Sequence, residues 1–259
     1  TIVLLDPDAG VAVETAEQLA SSDVTLVVVS YRYKAFMRAF ATPYAGALAV
    51  VVPPGELSWL DSAMLRLRDI GIATIAGAAA LPIIGLLGAI VRATSPGPMF
   101  FTTQVTGRYG VPFTWRKLRS MLQVPPEREE WRKQRYAEFI RGAMPQAGPD
   151  GNVKIVDHQR ITPIGRFMRK HSLDEMPQLW NVIKGDMSLV GPRPAQLWEW
   201  DLHEGWHRLR FQVSPGLTGP WQAFGRSRVS FDEMALMDYF YSRLRSPALD
   251  MRIIWKTLH

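Results

Sequence analysis

Two adjacent carboxylates, Asp174 and Glu175, stand near the start of the stretch His171–Pro194, HSLDEMPQLWNVIKGDMSLVGPRP. Arg169, Lys170 and His171 lie just upstream, Asp186 lies further on, and the stretch closes with Arg193 between Pro192 and Pro194. Acids flanked by cations and followed by a rigid Gly-Pro-Arg-Pro turn are the parts of a site for metal-assisted phosphoryl chemistry. A plainer reading stays open beside it. Acids in a first turn stabilise any helix by roughly 0.3–1 kcal/mol, and Ser172 with Glu175 matches a capping box.

The element expected to position the pair is a helix. Proline is tolerated only in a helix's first turn, where the backbone donors are free anyway. A helix starting near Asp174 therefore accommodates Pro177, runs through Leu179, Trp180, Val182 and Ile183, and stops at Gly185. Upstream, Met99–Thr103 and Val111–Trp115 flank Gly107–Gly110 as a hairpin. Its second strand runs into Arg116, Lys117, Leu118, Arg119, Ser120 and Met121. Alternation along a strand sends Lys117 and Arg119 to one face, where they would clamp a diphosphate; an ordinary solvated edge explains the same residues.

From Ile70 to Val91 the chain carries 22 residues without a charge, bounded by Asp69 and Arg92. At about 1.5 Å of rise per residue the run is just long enough to cross a bilayer. Pro82 near its middle, four glycines, and cations at both ends (Arg66 and Arg68 before, Arg92 after) argue against a simple crossing. A helix broken at Pro82 that enters and leaves by the same face satisfies all three features; a buried core helix is the alternative.

The chain has 259 residues, 47% of them hydrophobic, with no cysteine and a net charge of +6. A packed core follows, and disulfides, zinc-thiolate sites and cysteine nucleophiles are excluded. Residues 1–58 hold three basic and six acidic side chains, and the remainder 27 basic and 18 acidic. This step from −3 to +9 places a domain boundary near residue 58. The basic part implies an anionic partner: nucleic acid, a phosphorylated small molecule, or a membrane surface. Residues 1–58 read as strand (Ile2–Leu5), helix (Val11–Leu19), strand (Val24–Val29), helix (Tyr31–Phe40) and strand (Ala47–Val52), a nucleotide-binding-like α/β unit with a parallel sheet buried on both faces. Its first turn has only Gly10 and lacks the three-glycine phosphate fingerprint, so scaffolding or regulation is its expected role. Thr1 falls inside a strand with no signal-peptide pattern, and the unit is expected to be the tail of something longer.

After the hairpin, Pro125–Arg141 reads as a charged helix, Gly142–Asn152 as a loop, and Leu197–Phe211 as a helix with Trp198, Trp200 and Trp206. Ser214–Arg228 reads as a loop carrying Arg226 and Arg228. Ser230–Leu244 is a helix with Phe231, Met234, Met237, Asp238 and Tyr241 at helical spacing. Pro247–Leu258 is a helix whose pattern fits either packing on the body or lying on a membrane.

Several of these pieces together resemble the bacterial sugar transferases that act as monotopic polyprenyl-phosphate phosphoglycosyl transferases. They are the apolar helix around Pro82, SPGPMFF (95–101), TWRKLRSM (114–121), RITPIGRFMRKHSLDEMPQLWNVIKGDMSLVGPRP (160–194) and FQVSPGLTGPWQAFGRS (211–227). The resemblance implies a mainly α, α+β monotopic membrane catalytic domain over 59–259, with a reentrant helix at 70–91, behind the partial α/β unit. It implies transfer of a sugar-1-phosphate from a UDP-sugar to polyprenyl (undecaprenyl) phosphate with release of UMP. Asp174 would carry the phosphosugar covalently, Glu175 with Asp174 would hold Mg2+, and Lys117, Arg119 and Arg193, stiffened by Pro192 and Pro194, would bind the donor's phosphates or nucleotide. The implied place is the cytoplasmic face of a bacterial inner membrane, among its lipids, in the first membrane step of exopolysaccharide, capsule, O-antigen or glycoconjugate assembly. Self-association through the N-terminal region is a further expectation.

This chain departs from the family's usual spelling at Leu81-Pro82, where some members have Ser-Pro, at His158-Gln159, at Pro220 and over Ala195–Trp200. Two rival classes are weighed. A membrane-associated scaffold with an inactive transferase part is opposed by the intact Asp174, Glu175 and Arg193. A nucleic-acid binder rests on charge alone, with no helix-turn-helix, zinc or RNA-binding signature.

Overall fold

The computed structural model describes residues 1–53, 58–122, 126–142, 160–225 and 229–258. The sequence readings at 143–152, at His158-Gln159 and at Arg226 and Arg228 lie outside the described residues. The chain opens with β1 (Ile2–Leu5), α1 (Ala9–Gln18), β2 (Leu26–Val29), α2 (Lys34–Phe40), β3 (Thr42–Tyr44) and β4 (Ala47–Val52), forming a four-stranded sheet in the order β1-β2-β4-β3. β1 and β2 are parallel as expected, but β4 runs antiparallel to β2. The reason is a short strand absent from the sequence reading. β3 turns back on itself through Ala45 and Gly46, both at positive φ, so β4 returns beside β2 without a crossover. Burial on both faces holds for β2, whereas β1 is an edge with Val3 and Leu5 exposed.

This N-terminal unit shares a hydrophobic core with the C-terminal helices. The Phe36 and Phe240 rings meet edge-on at 5.0 Å. Glu233 accepts the free amides of Ala35 (2.8 Å) and Phe36 (3.2 Å) at the start of α2. Arg252 donates to the carbonyls of Arg38 and Ala39 near its end. Both termini of α2 are thus satisfied by side chains from distant sequence, which a short helix with no cap of its own requires.

The apolar run lies in α3, Trp59–Thr94, a helix of 36 residues started by Ser58, whose hydroxyl accepts the Asp61 amide. Pro82 does not break it. The helix is continuous through that position, and Ala78, whose carbonyl Pro82 cannot serve, is exposed like Pro82 itself. A helix apolar on all sides is normally enclosed, yet only 17% of the most apolar window of α3 is buried. What is buried is a narrow stripe, Leu65, Asp69, Ala73, Ala80, Leu87 and Val91, spaced so that one face touches the body along nearly the whole length.

The remaining elements are β5 (Phe100–Thr106), β6 (Pro112–Leu118), α4 (Pro126–Ile140), α5 (Pro163–Lys170), a 3-10 turn Leu173–Gln178, α6 (Leu179–Lys184), β7 (Ser188–Val190), β8 (Ala195–Gln196), α7 (Leu197–Leu202), α8 (Gly205–Arg208), β9 (Gly216–Thr218), α9 (Pro220–Phe224), α10 (Phe231–Leu244) and α11 (Pro247–Leu258). The expected hairpin is β5–β6, joined on the far side of β5 by β8. The single helix expected over Leu197–Phe211 is divided. His203 is extended, and the Glu204 amide is taken by His207 Nδ1 at 3.1 Å, which starts a new helix.

Where α3 meets the body, its side chains enter a buried polar cluster. Arg68 Nη2 donates to Asp69 (2.6 Å) and to Asp250 of α11 (2.7 Å). The Tyr241 hydroxyl of α10 donates to Asp250 at 2.6 Å, and Asp69 accepts the Ser188 hydroxyl and the Leu189 amide of β7. Arg66 donates to the carbonyls of Val182 (2.6 Å) and Ile183 (2.8 Å) near the end of α6. Removing one member of a buried charged set leaves the others uncompensated, at about 3–5 kcal/mol. Asp250→Ala is therefore expected to lower the melting temperature of the detergent-solubilised chain by several degrees or more; an unchanged melting curve would show that this cluster does not hold α3.

Candidate active site

The acid pair is delivered by a reversal of the chain. α5 begins at Thr162, whose hydroxyl accepts the Gly165 amide (3.0 Å), with Pro163 in its first turn. Gly165 passes so close to the Ser120 carbonyl that no side chain fits there. α5 ends at His171, and Ser172 turns the chain at φ 54° into the 3-10 turn. The expected capping box is absent, because a residue in the left-handed region does not aim its hydroxyl at the next turn. The acids occupy the first turn of the 3-10 segment, and the α-helix proper starts only at Leu179, ending at Gly185 with φ 99°.

Asp174 is buried, and its Oδ2 faces the Ser120 hydroxyl at 3.4 Å. Glu175 is partly exposed and accepts from Lys117 Nζ at 2.9 Å. The Lys117 ammonium also lies 4.0 Å from the centre of the Trp115 ring, so a cation–π contact fixes its other side. Burial pushes the Asp174 carboxyl above the usual carboxylate range. Lys117 is the strongest influence in the opposite direction, Glu175 adds to the rise, and Arg169 opposes it. Ser120, whose hydroxyl faces this carboxyl, was not singled out in the sequence, although it sits inside the TWRKLRSM run.

The expected Lys117–Arg119 clamp does not form. Arg119 is buried and donates to the carbonyls of Pro96 and Ser95 (2.8 Å) and to the Ser95 hydroxyl (2.9 Å), just past the C-terminus of α3. Strand alternation sends both residues to one face. Unsatisfied carbonyls at a helix end then capture a guanidinium.

Asp186 is held by Asn181 (3.1 Å) and Lys184 (2.9 Å), and Asn181 also donates to the Thr114 carbonyl. Asp186 is thus bound near Thr114, about 10 Å along β6 from Lys117. Arg193 lies further off. Lys117 pairs with Phe101 at one end of β5, whereas Ala195 pairs with Thr106 at the other, about 17 Å away along the strand. Arg193 is exposed between buried Pro192 and Pro194. Its charge is the largest influence favouring ionisation of Glu199, which is buried in the first turn of α7. Burial also pushes the Asp238 carboxyl of α10 up to about 7, against the influence of Arg210 and of the Arg193 amide.

A cavity of about 610 Å³ lies between the end of α3 and the start of α5, lined by Thr94, Ser95, Leu122, Ile161, Thr162 and Phe167 among others. It shares Ser95 with the Arg119 anchor, and Thr162 with the contact to Ser120. Among the described residues no group of three or more His, Cys, Asp or Glu side chains converges. Asp174 and Glu175 supply two carboxylates, the number that Mg2+ takes where water and substrate phosphate fill its other positions.

Residues 60–259 match the bacterial sugar transferase family. Among individual proteins, the chain is 38% identical over 179 residues to a UDP-galactose-lipid carrier transferase of Erwinia amylovora, covering 69% of this chain and 36% of that protein. It is 33% identical over 205 residues to the exopolysaccharide production protein ExoY of Sinorhizobium fredii, covering 74% and 83%. It is 38% identical over 161 residues to an undecaprenyl-phosphate galactose phosphotransferase of Salmonella typhimurium, covering 62% and 33%. The chain thus spans about a third of the length of the Erwinia and Salmonella proteins.

Because burial raises the Asp174 pKa, ionising this group costs folding free energy. The cost is absent below the unfolded-state pKa, near about 4, grows as pH rises through the folded-state value, and is complete above it. In metal-free buffer Asp174→Asn is therefore expected to melt above the parent at about pH 8, with the gap closing toward about pH 4. A variant that melts below the parent at the higher pH contradicts this account.

Proposed function

The chain belongs to the bacterial sugar transferase family, and from that premise we propose that it transfers a sugar-1-phosphate from a UDP-sugar to a polyprenyl phosphate, releasing UMP. One observation carries the reading: a desolvated carboxylate, Asp174, stands against Ser120 and beside the Lys117–Glu175 pair, on the flank of an exposed apolar helix. The relatives named for loading galactose onto a lipid carrier or onto undecaprenyl phosphate support the same substrate classes.

In the proposed first step an oxygen of Asp174 attacks the sugar-bearing phosphorus of the donor. A phosphorus–oxygen bond to the aspartate forms, the bond to the bridging oxygen breaks, and UMP departs with that oxygen and its electron pair. In the second step an oxygen of the lipid phosphate attacks the same phosphorus, and the aspartate leaves as a carboxylate. Burial suits Asp174 to this role, because a poorly hydrated carboxylate has less water to shed before it attacks. Lys117, held between Trp115 and Glu175, offers its charge to the donor's phosphates. Lys117 and the loop that carries Arg193 lie toward opposite ends of β5, which suits a donor held at two points, with its phosphates toward Lys117 and its nucleotide toward Arg193. Mg2+ held by Glu175 and Asp174 would supply charge neutralisation of the diphosphate. Arg119 contributes from behind, fixing the end of α3.

Attachment to one leaflet of a bacterial inner membrane, with the site on the cytoplasmic face, is part of the proposal. It is supported by the exposed apolar surface of α3 and by the contact of that helix with the body along its length, which leaves no segment free to cross alone. The cavity beside Thr94 and Phe167 then faces the lipid acceptor. The N-terminal α/β unit is proposed as a scaffolding or self-association element.

With UDP-sugar labelled in its sugar-proximal phosphate and no acceptor, the parent chain is expected to retain label through denaturation. Asp174→Asn should show neither label nor turnover, and chelation of divalent cations should stop turnover in the parent. Full activity of Asp174→Asn would end the covalent scheme.

A further inference from the structure

The cavity between the end of α3 and the start of α5 is built for hydrocarbon. Leu122, Ile161, Ile164 and Phe167 give it apolar walls, and among the described residues no charged side chain lines it. Its three hydroxyls point their protons into the protein. Thr94 donates to the Ile90 carbonyl (2.8 Å), Ser95 to the Val91 carbonyl (3.0 Å) and Thr162 to the Ser120 carbonyl (3.4 Å). A sugar or nucleotide seated there would shed its water for few hydrogen bonds, which is costly. An apolar chain has no such loss and gains burial. Phe167, 50% exposed, and Leu122, 46% exposed, carry the apolar lining out to the surface.

The cavity also lies between two features that a lipid phosphate must reach at once. On one side Ile164 packs with Leu87 and Val91 of α3, in the half of that helix whose outer flank leaves Ile83 and Leu86 exposed. On the other, the Thr162 amide donates to the Ser120 carbonyl (3.2 Å), and the Ser120 hydroxyl faces Asp174. Leu173, the residue before Asp174, packs against the same apolar cluster as Ile164. One residue's thickness of protein thus joins the cavity to the reacting carboxyl, and continuous apolar packing joins it to α3.

We propose that this cavity seats the phosphate-proximal isoprene units of the polyprenyl acceptor. Leu122, Ile161 and Phe167 hold those units, the phosphate turns toward Asp174, and the rest of the chain lies along the exposed flank of α3. The inference rests on the reading of the chain as a polyprenyl-phosphate transferase, and it gives the second substrate of that reaction a place.

The two half-reactions supply a test that separates this inference from the reading beneath it. Ile161→Trp fills the cavity, and Leu122→Ser removes apolar wall at an exposed position where folding is little affected. With UDP-sugar labelled in its sugar-proximal phosphate and no acceptor, both full-length variants in detergent micelles are expected to take up label as the parent does. Undecaprenyl phosphate is then titrated in. The concentration that half-maximally speeds discharge of the label is expected to rise about tenfold or more for Ile161→Trp and roughly three- to tenfold for Leu122→Ser, as for loss of a buried apolar contact. A prenyl phosphate bearing a photoreactive group on its first isoprene unit is expected to crosslink to the cavity residues. Undecaprenyl phosphate should suppress that crosslink, and an equal excess of phosphatidylglycerol should not.

If both variants discharge label at the parent's acceptor concentration, or the crosslink falls elsewhere, the cavity assignment is overturned while the transfer reaction stands. Equal suppression by phosphatidylglycerol overturns it as well, because the cavity is then a general lipid groove. So does label uptake slowed in step with discharge, because the cavity then does not act on the acceptor alone. If the parent takes up no label and forms no product, the transferase reading falls and this inference falls with it. Should Ile161→Trp fail to fold, Leu122→Ser and the crosslink decide.

Discussion

A single buried carboxylate, Asp69, joins an apolar helix to a charged body. It sits on the narrow contact stripe of α3 and takes the Ser188 hydroxyl and the Leu189 amide from β7, while Arg68 links it to Asp250 and, through that, to Tyr241. Apolar packing could not do this work alone, because small residues such as Ala73 and Ala80 bury little area on that stripe. Directional polar contacts fix the rotation of the helix about its own axis. With that rotation set, Leu87 and Val91 pack against Leu118 and Met168 at the far end, and the Asp174 turn lies alongside. The position of the Asp174 carboxylate relative to α3 is thus tied to an ionic contact far along the chain.

Arginine serves α3 twice, by the same electrostatic logic. Arg66 leaves the helix to satisfy carbonyls near the end of α6, and Arg119 arrives from β6 to satisfy carbonyls past the end of α3 itself. Each places a positive group where a helix leaves partial negative charge. These contacts hold the helix at both ends without adding polar groups to its exposed apolar flank.

Much of the site was legible in the sequence, and the reasons are physical. Proline confines a helix start, so Pro177 located the acids in a first turn, even though that turn proved to be 3-10. Strand alternation placed Lys117 on the face where it meets Glu175, because direction from a pleated backbone is a local property. Arg119 was misjudged because alternation fixes where a side chain leaves the backbone and says nothing of where a long one ends. The direction of β4 was illegible for a similar reason: an apolar run reads the same forwards and backwards, and Ala45-Gly46 is a weak hairpin signal beside Asn-Gly. Pro82 was expected to break α3, whereas the helix continues through it on its exposed side. Asp238 sat in view among apolar residues at helical spacing, but a carboxylate on such a face gains meaning only when its neighbours from other elements are known.

α10 is buried over much of its length, and different faces of it answer to different parts of the molecule. Glu233 and Tyr239 hold the N-terminal unit, Asp238 pairs with Arg210, and Tyr241 reaches both β7 and α11. Inserting or deleting one residue within it would swing everything downstream by about 100°, so that each partner would meet the wrong side chain. This helix is therefore a fixed-length ruler. A substitution in it alters one contact, whereas a change of length displaces all of them together.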